Sequence, residues 1–307
     1  MHLPQLLQLP LSAAAVVSAE KSFRRNPVIG SRRLNARGLH RGRVVAAARL
    51  SAWRRARLAG RLDPDERAQF DRDGFVIRQN ALPPALFDAV QHELATVPRD
   101  AWELRQGHAA NRVMPLPPKA DGTAMAALRD WVASQSVREL VGYAAGRTGH
   151  ILTSLQTIEV NPLGGEDDPQ AMLHADTFHP NAKFWLFLHD VGADEGPFSY
   201  VPGSHILTDA RLEWEHAQAL NAAQEGNVHH AAGSFRLAES GLGALGYGGL
   251  QSFPVKANTL VVADTFGFHK RTPSQKPTVR TALYGILRRN PFTPWNGLDL
   301  YDLPVLR

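Results

Sequence analysis

The period of the apolar positions along this chain changes near Gly149. Before it the spacing is helical. Leu39, Ala46, Leu50 and Trp53 fall near one face of an Ala-, Arg- and Leu-rich stretch over 37–60, and Leu86, Val90, Leu94 and Val97 form a core-facing stripe after Pro83-Pro84. Asp63-Pro64 supplies an N-cap followed by proline at the first helical position. It predicts a helix to about Asp71, stopped by Asp73-Gly74 and followed by a short strand at 75–77. Residues 123–145 read as helix divided by a capping box, Ser136-x-x-Glu139. After Gly149 the runs 153–160, 171–176, 183–190, 198–201, 259–264 and 280–287 are apolar or β-branched and bounded by Gly, Pro, Asn or Asp. Many short strands without alternating helices predict antiparallel sheets, closed or sandwiched, with the helices as buttresses. Between the strands, 206–250 is a long connection holding one helix over 210–222. Insertions of this length beside a site are often lids.

Composition adds one restriction and one asymmetry. The 307 residues are 44% hydrophobic, ordinary for a soluble globular chain, and contain no cysteine. A metal site must then be built from His and carboxylates, which suits iron, zinc, manganese or copper. The net charge of +5 is unevenly distributed: residues 1–62 carry thirteen Lys/Arg against the single acid Glu20, and the remainder is mildly acidic. We read 1–62 as a basic, partly helical extension and 63–307 as the main domain. The extension either meets an anionic membrane surface or packs on the body. A nucleic-acid contact is disfavoured, because aromatic residues to stack on bases are nearly absent around the arginines. The apolar stretch 3–19 is broken by Pro4 and Pro10 and makes a poor signal peptide. The expected location is cytoplasmic, peripheral to the inner face of a membrane if the arm binds lipid.

The candidate chemistry centres on His174-Ala175-Asp176. On a strand, residues two apart share a face, so this pair offers one nitrogen and one oxygen to the same ion. Two ligands hold a catalytic metal poorly. His269, at the end of a hydrophobic strand, is the leading third ligand, and Arg280 follows eleven residues later. Together with Asp73-Gly74-Phe75-Val76, Trp185, Gly196-Pro197 and Val201-Pro202-Gly203-Ser204-His205, these residues resemble the phytanoyl-CoA dioxygenase family over roughly 63–290.

The resemblance implies a mainly β, α+β architecture with a double-stranded β-helix (jelly-roll, cupin-like) core. It implies an Fe(II)- and 2-oxoglutarate-dependent dioxygenase that uses O2, releases succinate and CO2, and hydroxylates a small-molecule or lipid-like substrate. Two imidazoles and one carboxylate on one face of octahedral Fe(II) leave three positions, two for a chelating keto acid and one for oxygen. Arg280 would bind the far carboxylate of 2-oxoglutarate as a bidentate fork. The resemblance also puts Trp185 and Gln156 beside the co-substrate. Family members often carry a small hydroxyl residue just after the distal histidine. Here Lys270-Arg271 intervene before Thr272, the remaining candidate for that role. Related halogenases replace the ligand carboxylate with Gly or Ala, so Asp176 favours hydroxylation. The alternatives are a non-hydroxylating cupin-like metal enzyme or halogenase, and a degenerate dioxygenase acting as a membrane- or partner-binding protein.

Other polar residues receive plainer readings. His179 and His189 are not expected among the ligands, His205 completes a structural Pro-Gly-Ser turn, and His229-His230 form a solvated loop pair. Arg105 and Arg112, either side of Gly107-His108, could reach an anionic substrate or be ordinary loop arginines.

Overall fold

The computed structural model describes residues 5–293 apart from Arg99, His108, 117–121, 162–167 and Glu225. Nine α-helices are present among these residues: α1 (Gln5–Ala14), α2 (Arg32–Ala36), α3 (Leu39–Leu58), α4 (Pro64–Asp73), α5 (Pro84–Thr96), α6 (Ala124–Val132), α7 (Gln135–Ala144), α8 (Asp209–Asn221) and α9 (Val228–Ala231). They surround ten strands: β1 (Phe75–Arg78), β2 (Trp102–Gln106), β3 (Ala109–Pro115), β4 (Leu152–Val160), β5 (Ala182–Phe187), β6 (Phe198–Tyr200), β7 (Gln251–Phe253), β8 (Thr259–Asp264), β9 (His269–Arg271) and β10 (Thr278–Leu287). Every strand pairing is antiparallel. The large sheet runs β1-β8-β5-β10-β4-β3-β2 and the small one β7-β6-β9, the two-sheet jelly roll expected for a double-stranded β-helix.

Strand alternation divides the core in two. Phe184, Leu186, Leu260, Val262, Leu155 and Leu283 point to the outer face of the large sheet and pack against Leu128, Val137, Leu140 and Val141 of α6 and α7. Their neighbours Trp185, Phe187, Val261, Ala263 and Ala282 point inward and meet Phe198, Tyr200 and Phe253 of the small sheet. The helices thus cover one face, and the space between the sheets is left for the site.

The start of the main domain follows its local code. The Asp63 side chain accepts from the backbone N–H groups of Asp65 and Glu66, and Pro64 opens α4. Gly74 ends the helix in the left-handed region at φ +86°, where a Cβ would lie 2.5 Å from His205 Nδ1. Glycine is required there for both reasons. The turn ending in His205 is therefore structural: its ring stands edge-on to Phe70 at 5.3 Å.

Several local expectations are corrected. The helical stretch breaks at Ala133-Ser134, earlier than the predicted capping box, and Ser134 makes no side-chain cap. Glu139 instead accepts from Gln135 one turn away. The segment 171–176 is not a strand: His174 alone forms bridges, to Arg236 and to His269. The hairpin β2–β3 and the short strands β7 and β9 lie outside the predicted runs. Within it, Arg105 and Arg112 both pair with Glu103 and are exposed.

The basic arm is built into the body. Helix α3 buries His40, Arg43, Val44, Ala47, Ser51, Arg54 and Leu58, while Trp53, on the apolar face read from the sequence, is 46% exposed under the guanidinium of Arg57. Arg43 donates to the carbonyls of Val16, Ser18 and Glu20, and Arg54 to those of Gly146, Pro291 and Thr293. Arg55 reaches the fully buried carboxylate of Asp264 at 2.7 Å. His40 shares Glu215 with Arg211 of α8, joining α3 to the long connection. Among the described residues no helix is long and apolar enough to cross a membrane.

Candidate metal centre

His174, Asp176 and His269 offer ligand atoms that all lie within 4.8 Å of one another. The two histidines face each other across a reciprocal backbone bridge, His174 N–H to His269 O at 3.0 Å and His269 N–H to His174 O at 2.9 Å. That pairing supplies the alignment expected of a strand and fixes the two rings 4.4 Å apart. His174 Nδ1 lies 2.7 Å from Met172 O, and His269 Nδ1 lies 3.0 Å from Gly267 O. A carbonyl can only accept, so each Nδ1 carries the proton and each Nε2 presents a lone pair. The Nε2 atoms stand 3.8 and 3.7 Å from the two Asp176 oxygens. Two unprotonated imidazole nitrogens converging on a carboxylate fit a divalent ion.

Charge around the three residues acts in the same direction. Burial, with each other's proximity and Arg236, pushes His174 well below its ordinary value; burial, with Lys183 and Arg236, takes His269 down to about 4. Both rings are neutral and ready to ligate at neutral pH. Asp176 would be driven up by burial, but Lys183, 2.6 Å from Oδ2, holds it well below the usual carboxylate range.

Beside this cluster a cavity of about 220 Å³ opens between the sheets, lined by His174, His269, Lys183, Trp185, Gln156, Arg280, Tyr284, Asn111, Gln170 and Arg271, among others. Arg280 sits in its wall and donates to the carbonyls of Glu195 and Gly196. Enclosure by protein on most sides, then the neighbouring Arg271, brings its guanidinium down to about 9. Trp185 is paired with Tyr284 across β5 and β10, and its ring lies 4.6 Å from Phe198 of the small sheet. Gln156 pairs with Ala282 across β4 and β10 and accepts a long contact from Asn111. Thr272 is not brought to this wall. Its hydroxyl is 2.5 Å from Ser199 Oγ and 3.3 Å from Ser252 Oγ in the small sheet, while Arg271, paired to Asp168, occupies the cavity side.

The family model described as phytanoyl-CoA dioxygenase matches residues 70–236, just over half of the chain. The chain belongs to the phytanoyl-CoA dioxygenase family. The matched segment carries His174 and Asp176; His269 and Arg280 lie beyond it, on strands that the fold returns to the same cavity. No curated protein matches the chain. Among solved structures, the chain is similar to the non-haem α-ketoglutarate-dependent epimerase SnoN from nogalamycin biosynthesis, at 18% identity, 73% of this chain, 83% of that one and a TM-score of 0.44. It is similar to HygX from Streptomyces hygroscopicus with nickel and 2-oxoglutarate bound, at 14% identity, 73% and 86% coverage and a TM-score of 0.45. A third is AviO1 from Streptomyces viridochromogenes Tue57, at 17% identity, 73% and 94% coverage and a TM-score of 0.42.

Three residues of this phytanoyl-CoA dioxygenase family member escaped the sequence reading. Lys183 alternates with Trp185 and Phe187 on the inward face of β5, so a lysine at that parity was the available signal. Arg236 bridges to His174 through its backbone, and Lys21 donates from its ammonium to Asp176 O at 2.5 Å. Both come from segments far away in sequence, which pattern alone does not connect. The connection 206–250 is a correction: none of its described residues lines the cavity, and α8 packs against α2 and α3. His230, expected to be solvated, is buried in α9, where its Nε2 accepts from Arg236 N–H at 2.9 Å. His179 is buried with Nδ1 on Pro180 O, and His189 is exposed.

Proposed function

We propose that this protein is an Fe(II)- and 2-oxoglutarate-dependent dioxygenase that hydroxylates a small-molecule or lipid-like substrate. The observation carrying the reading is the pair of imidazoles whose Nδ1 protons are tied to carbonyls, so that both Nε2 lone pairs converge with Asp176 at the wall of a cavity that also holds Arg280. His174, Asp176 and His269 would hold the ion, which, when bound, supplies the coupling of 2-oxoglutarate decarboxylation by O2 to substrate oxidation. Arg280 provides a fixed cation for the far carboxylate. Trp185 and Gln156 line the same cavity as that guanidinium and the two histidines, and Lys183 holds Asp176 ionised and oriented. The carboxylate at Asp176 favours hydroxylation over halogenation, since it occupies a position that a halide would need.

The test is conversion of 2-oxoglutarate to succinate by purified protein under air with added Fe(II). We expect succinate from the wild type and loss of it in His174→Ala, Asp176→Ala and His269→Ala. Undiminished succinate formation in these three variants would refute the metal assignment. Incorporation of label from 18O2 into product, once a substrate is found, separates hydroxylation from other oxidative outcomes.

A further inference from the structure

The family match begins at residue 70, yet a residue from far upstream touches the proposed ligand set. Lys21 extends its ammonium to the backbone carbonyl of Asp176 at 2.5 Å. Lys183 holds the same residue by its carboxylate, 2.6 Å from Oδ2, so Asp176 is gripped at main chain and side chain by two cations, one from a neighbouring strand and one 155 positions upstream.

Lys21 is seated by several independent contacts. Arg43 of α3 donates to the carbonyls of Val16, Ser18 and Glu20, which fixes the strand of chain leading to it. The Glu20 carboxylate accepts from the N–H groups of Lys21 and Ser22, bending the chain at that point. Downstream, Arg24 N–H donates to Ala231 O at 3.0 Å. Against the Lys21 backbone stands Gly233, at φ +78°, where a Cβ would lie 2.1 Å from Lys21 O. Only glycine permits both that conformation and that approach. Ser234, next in sequence, donates to Ala175 O at 2.8 Å, so the same loop that seats Lys21 also supports the peptide before Asp176.

We infer that the N-terminal segment 18–23 is part of the metal centre, with Lys21 acting as the positioning residue for Asp176. The inference rests on the metal site proposed above. Its physical basis is that a ligating carboxylate binds well only when its main chain and its free oxygen are already held; partners outside the ligand set commonly contribute ten- to hundredfold in metal affinity. Nothing in it requires Lys21 to change protonation.

Co(II) titration of the full-length, chelator-treated protein, followed by the d–d absorption of the bound ion, tests it. The wild type is expected to bind one Co(II) and His174→Ala to lose binding; absence of binding by the wild type would overturn the metal site itself. Lys21→Met is expected to weaken Co(II) by about tenfold or more and to shift the d–d bands, with Lys21→Arg recovering most of the affinity. A purely structural lysine would lower the melting temperature and leave the affinity and spectrum of the folded protein unchanged. Wild-type affinity and spectrum in folded Lys21→Met would overturn the inference while leaving the metal site standing. If Lys21→Met does not fold, Gly233→Ala, which displaces the Lys21 backbone and keeps its charge, takes its place with the same expected loss and the same overturning result.

Discussion

At Arg280 a guanidinium lines a cavity and, among the described residues, is hydrogen-bonded only to carbonyls. Of the other cations lining the cavity, Arg271 is already matched by Asp168 at 2.9 Å, Lys183 by Asp176 at 2.6 Å and Lys270 by Glu239. The cation left for an incoming anion is therefore Arg280, and its enclosure beside Arg271, which brings it down to about 9, makes an anionic ligand the natural means of balancing it. Arg280→Met should weaken 2-oxoglutarate by at least about 2 kcal/mol, on the order of thirtyfold in Kd, and leave Co(II) affinity within about twofold. Calorimetric titration of the wild type and Arg280→Met with metal and with 2-oxoglutarate checks the separation; equal losses for metal and co-substrate would contradict it. Arg280, His174, Asp176 and His269 were readable because their order and residue types are restrictive together. Lys183 and Lys21 were not. A lysine is an unremarkable residue until the fold shows that its ammonium has left the solvent, and Lys21 lies 155 positions from the carbonyl it serves.

At the scale of the element, α3 shows how a helix can be legible while its buried face is not. The apolar residues Leu39, Ala46, Leu50 and Trp53 marked one face, to meet either a membrane surface or the body. The helix instead buries His40, Val44, Ala47, Ser51, Arg54 and Leu58, which recur every three or four residues as a proper helical stripe of mixed polarity. Hydrophobicity fails here because Arg43, Arg54 and Arg55 meet carbonyls and a carboxylate that would otherwise be unsatisfied in the interior. The predicted strand at 171–176 is lost for another reason: its pairing is confined to His174, which bridges Arg236 and His269, with no ladder beyond it. In the large sheet, by contrast, the apolar and β-branched runs bounded by turn residues were clear, and β4, β5, β8 and β10 appear close to where they put them. Arg54→Met, which strands the carbonyls of Gly146, Pro291 and Thr293, should destabilise the fold by about 3 kcal/mol, whereas Trp53→Ala should stay within about 0.5 kcal/mol. Urea unfolding of the two variants measures the difference, and a larger loss at Trp53 would restore the apolar face as the packed one.

For the whole molecule, the consequence of this packing is a dependence on pH set by histidines buried at separate places. His205 lies between Phe70 and Gly74 where α4 meets the small sheet, and burial followed by the nearby Arg55 brings its ring down to about 3. His179 lies against Phe178 just before β5, and burial takes it down to about 3 as well. In the unfolded chain both would titrate near the ordinary value of about 6.5. Between those limits the unfolded chain binds protons that the folded one refuses, so stability is full above about pH 6.5 and falls as the pH drops towards 3. Each ring contributes a loss of about 2 kcal/mol between pH 7 and pH 5. In chelator-treated protein His174 and His269 add to it with the same sign, since both are also lowered. Asp176, held low by Lys183, keeps its contribution throughout that window and gives it up only in stronger acid. Urea midpoints of the chelator-treated protein should therefore fall steadily from pH 7 to pH 5, and more shallowly in His205→Gln, which removes one of the refused protons. A flat profile over that range, or an unchanged slope in His205→Gln, would mean that these rings charge within the folded protein and that the interior around the site is wetter than its packing implies.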